Sequence, residues 1–408
     1  MQEKIVYAGV HSRSFRQASD SLQMLADLNV PTKQIERLTE GIGAERVAER
    51  EAAVATYQAL PLAEKHASPA GVAAPSVAAV MVDGGRLQIR DAADEPEVTT
   101  GGQETERQGH WREDRVGLLL AMESEAQGAD PCPEIPEHFV DPTRILKLAR
   151  ELKPVKVGED AVAEPTGPEP ETTPAAQAAA PRPYTPPEIV QRHVLASREN
   201  WHDFALQVAQ GARAMGLLGA ARKAFVGDGA ESNWTLWRRF FGSFVPILDF
   251  IHALSYVFAA ALAGRKFAEG WPVYVRWIGW MWKGQVEWVI AELAQRQAEL
   301  GTPETDEAAT SPRQVVARTL TYLQNHKDKM RYDDYRRQGL PLTSSHIESV
   351  IKEINYRVKG TEKFWCEGGA ETVLQLRADY LSHDRPLADF WQRRQDRQTG
   401  QRGYRRAA

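Results

Sequence analysis

Ala221–His252 reads ARKAFVGDGAESNWTLWRRFFGSFVPILDFIH and contains the same device twice. Ala224, Phe225 and Val226 form a short apolar run that ends in Gly227-Asp228-Gly229. A segment rich in Trp and Arg follows. A second apolar run, Phe244 to Leu248, ends in Asp249, with His252 three residues on. The pattern predicts strand, acidic tip, helix, strand, acidic tip. An acid just past a buried strand is held on rigid scaffolding where a ligand or metal ion can approach.

Working outward, Val77 to Val82 (VAAVMV) meets Asp83-Gly84-Gly85, and Arg86 to Arg90 then alternates. This predicts a strand, a tip and a second strand. Asp-Gly between strands is also the commonest hairpin signal, so Asp83 alone reads as a turn residue. A further strand is expected at Asp114 to Met122, and an amphipathic helix at Glu199 to Leu218 leads into the strand at Ala224. Beyond His252 helices are expected at Leu254 to Phe267, Trp271 to Leu300 and Ser311 to Asp333, with Trp277, Trp280, Trp282 and Trp288 as packing residues. In the segment TSSHIESVIKEINYRVKG, Ile347, Val350, Ile351 and Ile354 share one helix face. Glu348 lies just off that face, and Lys352, Asn355 and Lys359 line a polar side. Ser345-x-x-Glu348 also fits a capping box, in which the Glu serves only the helix backbone.

At the N-terminus, Leu22, Leu25 and Leu28 recur at helical spacing before Asn29 and Pro31. Thr32 can cap a second helix that ends near Gly41 and Gly43, with a third from Ala44 to Leu60. The first two could form a helix-turn-helix or a plain hairpin packed on the core. From Glu123 to Pro187 the periodicity mostly fails, apart from a helical patch at Pro142 to Leu152. The run EDAVAEPTGPEPETTPAAQAAAPRPYTPP (159–187) buries too little to fold and reads as disordered. The expected organisation is an N-terminal helical segment (1–70), a first core part (71–123), a disordered insertion (124–187), a second core part (188–253), a helical insertion (254–342), a closing core part (343–384) and a basic tail (385–408).

The composition excludes several classes. With 42% hydrophobic and 26% charged residues, the 408-residue chain is ordinary globular material. A net charge of −5 gives no global sign of nucleic acid. The two cysteines, Cys132 and Cys366, form neither a CxxC nor a finger spacing, against a disulfide framework or structural zinc. The N-terminus has no signal-like apolar region. The most apolar windows contain Asp249 and His252, or Arg276, Lys283 and Glu287, so no membrane span is expected. A cytoplasmic protein follows as the expectation. No GxxxxGK[ST] occurs, so a P-loop role for the strand-ending acids is unsupported.

Each acid has a bland explanation alone, but their order is informative. An apolar strand with an Asp and a hairpin, a distant strand with an Asp, then a helix with a Glu is the order of an RNase H-like core. The fold class expected is α/β, a mixed sheet flanked by helices and interrupted by an all-α insertion. Asp83, Asp228 and Glu348 would then meet at one sheet edge. Hard divalent cations prefer such oxygen ligands.

Four stretches make the chain resemble bacterial insertion-sequence transposases of the ISKra type, within the Mutator-like DDE group. They are Val82-Asp83-Gly84-Gly85-Arg86; Gly227-Asp228-Gly229 with Leu248-Asp249-Phe250-Ile251-His252; Ser344-Ser345-His346-Ile347-Glu348-Ser349; and Arg357-Val358-Lys359-Gly360-Thr361 with Phe364-Trp365 and Leu374-Gln375-Leu376-Arg377. The resemblance implies that Asp83, Asp228 and Glu348 bind Mg²⁺ or Mn²⁺ as the catalytic triad. Asp249 and His252 match the family's Asp-x-x-His feature and would be supporting residues, with Asp249 the rival for second catalytic acid. It also implies a DNA transposase acting on double-stranded element ends and target, as a homodimer or higher oligomer at the nucleoid.

Lys352, Arg357, Lys359 and Lys363, with Phe364 and Trp365, form a basic and aromatic run beside Glu348. Phosphates call for Lys and Arg, and an unpaired base can stack on a ring, so Lys352, Arg357, Lys359, Lys363 and Trp365 are candidate DNA contacts. Arg238 and Arg239 with Trp234 and Trp237 are a weaker set. The competing expectation is a catalytically inactive, transposase-derived DNA-binding protein.

Overall fold

The computed structural model describes residues 1–90, 111–152, 184–360 and 363–399. Three helices open the chain: α1 (Gln2–His11), α2 (Phe15–Ala26) and α3 (Thr32–Ala59), with a single turn, α4 (Leu62–Lys65), after them. The sheet strands are β1 (Val77–Ile89), β2 (Trp111–Glu123), β3 (Glu188–Ser197), β4 (Arg222–Gly227), β5 (Val245–Leu248) and the short β6 (Phe364–Trp365). Between them lie α5 (Pro142–Leu152), α6 (Trp201–Ala214) and α7 (Glu231–Phe240). A helical block follows β5: α8 (Phe250–Leu262), α9 (Phe267–Trp282), α10 (Val286–Leu300), α11 (Pro312–His326) and α12 (Tyr332–Arg337). The chain closes with α13 (Ser345–Val358), α14 (Glu367–Leu381) and α15 (Pro386–Thr399). No described helix is long and apolar enough to cross a membrane.

The sheet is mixed, in the order β3-β2-β1-β4-β5. β3, β2 and β1 run antiparallel, β4 and β5 run parallel to β1, and β6 pairs with the far end of β1. The parallel strands read as continuous apolar runs because both faces are covered. Val77 to Val82 and Ala224 to Val226 are all at most 2% exposed. On one face Gly117 of β2 lets Phe204 and Val208 of α6 approach; a Cβ there would sit 3.3 Å from each.

Several expectations are corrected. Asp83-Gly84-Gly85 is not a hairpin tip, because β1 runs straight through it and pairs with β2 along its whole length, Asp83 opposite Val116 and Gly85 opposite Asp114. Gly85 has a steric reason: a Cβ would lie 2.8 Å from both carboxylate oxygens of Asp114. The helices expected at 32–43 and 44–60 are one, since α3 passes unbroken through Gly41 and Gly43. Gly43 is needed there for contact, because a Cβ would fall 2.5 Å from Thr372 of α14. The expected helix 271–300 divides at Gly284, whose φ of +71° suits glycine.

The expected disordered insertion 124–187 is corrected in part. Residues 124–152 are ordered against the core, with Phe139, Ile145 and Leu146 buried. Residues 153–183 lie outside the described residues. The same holds for residues 400–408 of the basic tail, whose first part is α15. The N-terminal helices α1, α2 and α3 pack on one another, and α3 packs on α14. Ile35, Ile42, Arg46 and Arg50 of α3 are buried. Arg46 bonds to Asp379 of α14 at 2.9 Å and Arg50 to Glu371 at 2.8 Å.

Candidate functional site

Three parallel strands deliver three aspartates to one edge. The β1–β4 register pairs Met81 with Val226, so two residues on Asp228 falls opposite Asp83. The β4–β5 register pairs Gly227 with Leu248, and the Asp249 N–H donates to the Gly227 carbonyl at 2.8 Å. The acids therefore stand in a row across adjacent strands, Asp228 and Asp249 just past the ends of β4 and β5 and Asp83 within β1. Glu348 is added by the first turn of α13, whose buried face is Ile347, Val350, Ile354 and Val358. The capping box expected at Ser345 and Glu348 does not form, since Ser344 is the N-cap and makes no side-chain cap bond.

The acids differ in how they are held. Asp249 is fully buried and caps α8. Its Oδ1 accepts from the N–H groups of Ile251 at 3.3 Å and Ser344 at 3.0 Å. Its Oδ2 accepts from the His252 N–H at 3.2 Å and from His252 Nδ1 at 2.5 Å. A carboxylate offers about four acceptor sites, so Asp249 is saturated. Ligand atoms of Asp249, His252 and Glu348 lie within 4.8 Å of one another, the tightest metal-competent group among the described residues. The rival acid thus stands nearer to Glu348 and His252 than a distant support would. Its filled oxygens suit it to orienting His252.

Asp228 is fixed by its loop. Its Oδ1 accepts from the Ala230 N–H and from Asn233 Nδ2, both at 2.9 Å. Asn233 Nδ2 also donates to the Val82 carbonyl at 3.2 Å, so one buried amide ties the β4 loop to β1 beside Asp83. From the helical block, the Tyr322 hydroxyl donates to the Asp228 carbonyl at 2.7 Å, its ring stacked on Tyr256 at 3.9 Å. Gly229 takes φ +105°, and a Cβ there would meet Tyr322 at 2.7 Å. His326 lies beside this loop. Burial, then Lys329, pulls its pKa down to about 4, against the opposing charges of Glu231 and Asp228, so its ring is neutral at pH 7.

Burial and neighbouring charge shift two of these groups upward. Burial pushes the Asp83 carboxyl up to about 6, and the Asp228 and Glu348 charges add to this, while the Gly84 N–H and His252 pull the other way. For His252, burial favours the neutral ring. The bond to Asp249 and the charges of Asp249, Asp228 and Glu348 outweigh it, raising the imidazole to about 9. An imidazolium therefore sits among the carboxylates.

Of the expected site residues, the structure gathers Asp83, Asp228, Asp249, His252 and Glu348. It separates some of the expected DNA contacts. Arg357 is 2% exposed, with Nε donating to the Gly9 carbonyl at 2.9 Å and its guanidinium against Phe15 and Trp365. Trp365 is itself buried. Both are corrected to packing residues, since each fills the seam between the N-terminal hairpin and the sheet. Lys363 Nζ is turned back onto the carbonyls of Tyr356 and Arg357. Lys352 and Lys359 are exposed. Arg238 bonds to Glu231, and Trp234 is buried.

Sequence reasoning missed Asn233 and Tyr322. Asn233 lies five residues after Asp228, on a helix where Trp234, Trp237, Arg238 and Arg239 are the conspicuous residues. Tyr322 is 94 residues away, where no local signal reaches. No protein-family model matches the chain, and no curated protein matches it.

Proposed function

We propose that this protein is a metal-dependent polynucleotidyl transferase with an RNase H-like core, a DDE-type DNA transposase. It cuts double-stranded DNA at element ends and joins a 3′-hydroxyl to target DNA. The observation that carries the reading is the convergence of Asp83, Asp228 and Glu348 at one sheet edge, with Asp83 raised by burial and by its acidic neighbours. Such a surplus of buried negative charge is costly unless a cation is supplied. The donor set is rich in carboxylate oxygen, which fits Mg²⁺ or Mn²⁺.

Asp83, Asp228 and Glu348 would hold the ions. When bound, a pair of such ions activates the attacking oxygen and stabilises the leaving oxygen of an in-line displacement. The chain's own residues do the rest. Asn233 and Tyr322 hold the Asp228 loop in register with β1. Asp249 fixes the ring of His252, whose charge can meet a phosphate oxygen. Lys352 and Lys359 offer exposed charge to the backbone of DNA that reaches Glu348.

The test is cleavage and strand transfer of labelled element-end DNA by the purified protein, with Mg²⁺ or Mn²⁺ and with chelator. Activity should need the metal and vanish in Asp83→Asn, Asp228→Asn and Glu348→Gln. Strand transfer that survives Asp228→Asn but not Asp249→Asn would move the second ligand to Asp249. Activity in all of these variants would end the proposal.

A further inference from the structure

The helical block between Asp249 and Glu348 reaches the acids through two helices. α8 starts at its Asp249 cap and carries His252 and, one turn on, Tyr256. α11 carries Arg318, Tyr322 and His326 at intervals of four, so these three share one face. The two helices meet where Tyr256 stacks on Tyr322, ring centroids 3.9 Å apart and planes 9° from parallel. Tyr322 commits its hydroxyl to the Asp228 carbonyl at 2.7 Å. Tyr256 does not: it is half-buried, and its hydroxyl has no hydrogen-bond partner among the described residues. Packing alone would be served by phenylalanine, which brings no hydroxyl to leave unpaired. Tyr256 also feels charge from two sides. Burial raises its phenol, Arg318 opposes the rise and Asp228 adds to it, so the hydroxyl is a protonated donor at pH 7. Arg318 is exposed and takes part in no ion pair or hydrogen bond among the described residues.

We propose that Tyr256 and Arg318 are the helical block's contacts with the DNA strand on the Asp228 side of the site, the Tyr256 hydroxyl donating to a phosphate oxygen and the Arg318 guanidinium pairing with a neighbouring phosphate. A backbone phosphate near Asp83, Asp228, Asp249 and Glu348 is repelled wherever no cation stands between them. A neutral hydroxyl can meet it there without being captured by the acids, and a cation at the outer side draws the strand in. Tyr and Arg side chains are among the groups that fix the register of a duplex through its phosphates without reading its bases. The contact is therefore independent of base sequence. It rests on the proposed DNA-cutting function for its substrate, but binding can be read without any chemistry. The helical block then positions the substrate as well as holding the Asp228 loop through Tyr322.

The experiment is fluorescence anisotropy of the full chain with a labelled duplex across a salt series, with Ca²⁺, another oxygen-ligated ion, in place of Mg²⁺. Tyr256→Phe keeps the ring stack and should weaken binding by about tenfold, the loss of one hydrogen bond to a charged group. Its circular dichroism melt should match wild type. Arg318→Ala should flatten the dependence of log affinity on log salt by about one phosphate contact, and Arg318→Lys should restore it. Arg393→Ala, which removes a surface cation of α15 paired with Glu49, should leave that slope unchanged. A second duplex of unrelated sequence should show the same losses. Wild-type affinity in Tyr256→Phe, an unchanged slope in Arg318→Ala, or losses confined to one sequence would overturn the contact and leave the catalytic reading standing. Asp83→Asn separates the two proposals. If it keeps strand transfer while Tyr256→Phe loses duplex affinity, the catalytic reading falls and the contact stands.

Discussion

The α3–α14 interface and the carboxyl edge of the sheet both bury acids, and they treat them in opposite ways. At the interface Asp379 and Glu371 each have an arginine. Asp379, 3% exposed, is raised by its burial and pulled back by Arg46, which bonds it at 2.9 and 3.3 Å. Glu371 bonds Arg50 and the Ser197 hydroxyl. At the sheet edge Asp83 is raised by burial and by the charges of Asp228 and Glu348, with His252 pulling it back, and Asp249 bonds His252. The chain can neutralise buried carboxylates when stability alone is at stake. At the sheet edge Asp83 stands beside Asp228 instead of an arginine, and there the proposed function puts a metal ion.

That contrast can be broken by mutation. The largest effect is expected at the paired interface. Arg46→Ala leaves Asp379 buried and uncompensated, and should cost about 3–5 kcal/mol in urea denaturation. Asp228→Asn at the sheet edge should cost less than about 1 kcal/mol or stabilise, because it relieves repulsion. Equal losses at the two places would erase the distinction.

Asp114 sharpens it next. Both of its carboxylate oxygens are buried without a hydrogen-bond partner, and burial raises the group to about 6 despite Lys359, Arg115 and Arg198. The folded state therefore keeps this proton between about pH 4 and 6 while the unfolded chain has lost it, so Asp114 lowers stability as pH rises through that window. About two pH units correspond to about 3 kcal/mol. Asp114→Asn should raise the unfolding free energy at pH 7.5 by up to that amount, and the gain should disappear below about pH 4. A constant difference across the range would remove ionisation as the cause.

Divalent ions supply a third measurement. Mg²⁺ at one hundred times its dissociation constant should stabilise wild type by about 2.7 kcal/mol. The double variant Asp83→Asn with Asp228→Asn should show no such shift, and Arg46→Ala should retain it. Asn233→Ala should then weaken divalent affinity by about 10- to 100-fold in calorimetry, the usual range for a residue orienting a ligand. The smallest change is expected at Tyr322→Phe, where one hydrogen bond to the Asp228 carbonyl is worth about 1 kcal/mol.

Much of the fold was legible wherever a signal is local. The β4–α7–β5 unit follows from two apolar runs and the residues that punctuate them. The far β1 segment was misread because Asp-Gly-Gly is ordinary turn material; what keeps it extended is β2, paired down to Trp111. β3 went unseen. EIVQRHVLAS mixes Glu, Gln, Arg and His with its apolar residues, and only its last four positions are well buried. The site residues were visible as strand-ending acids, yet Arg357 and Trp365 looked like exposed contacts because their cover, Phe15 and Gly9, lies some 350 residues upstream.

The sequence by itself determined the strands that end just before Asp228 and Asp249, the amphipathic helix bearing Glu348, and the lack of a CxxC or P-loop motif. These depend on residue type and spacing within a dozen positions. Tertiary structure alone decided that Asp249 is saturated while Asp83 is left under repulsion, that Gly43 and Gly85 serve Thr372 and Asp114, and that Tyr256 stacks on Tyr322 beside Asp228. Those outcomes depend on distances between atoms far apart in the chain, and burial and charge act through distance.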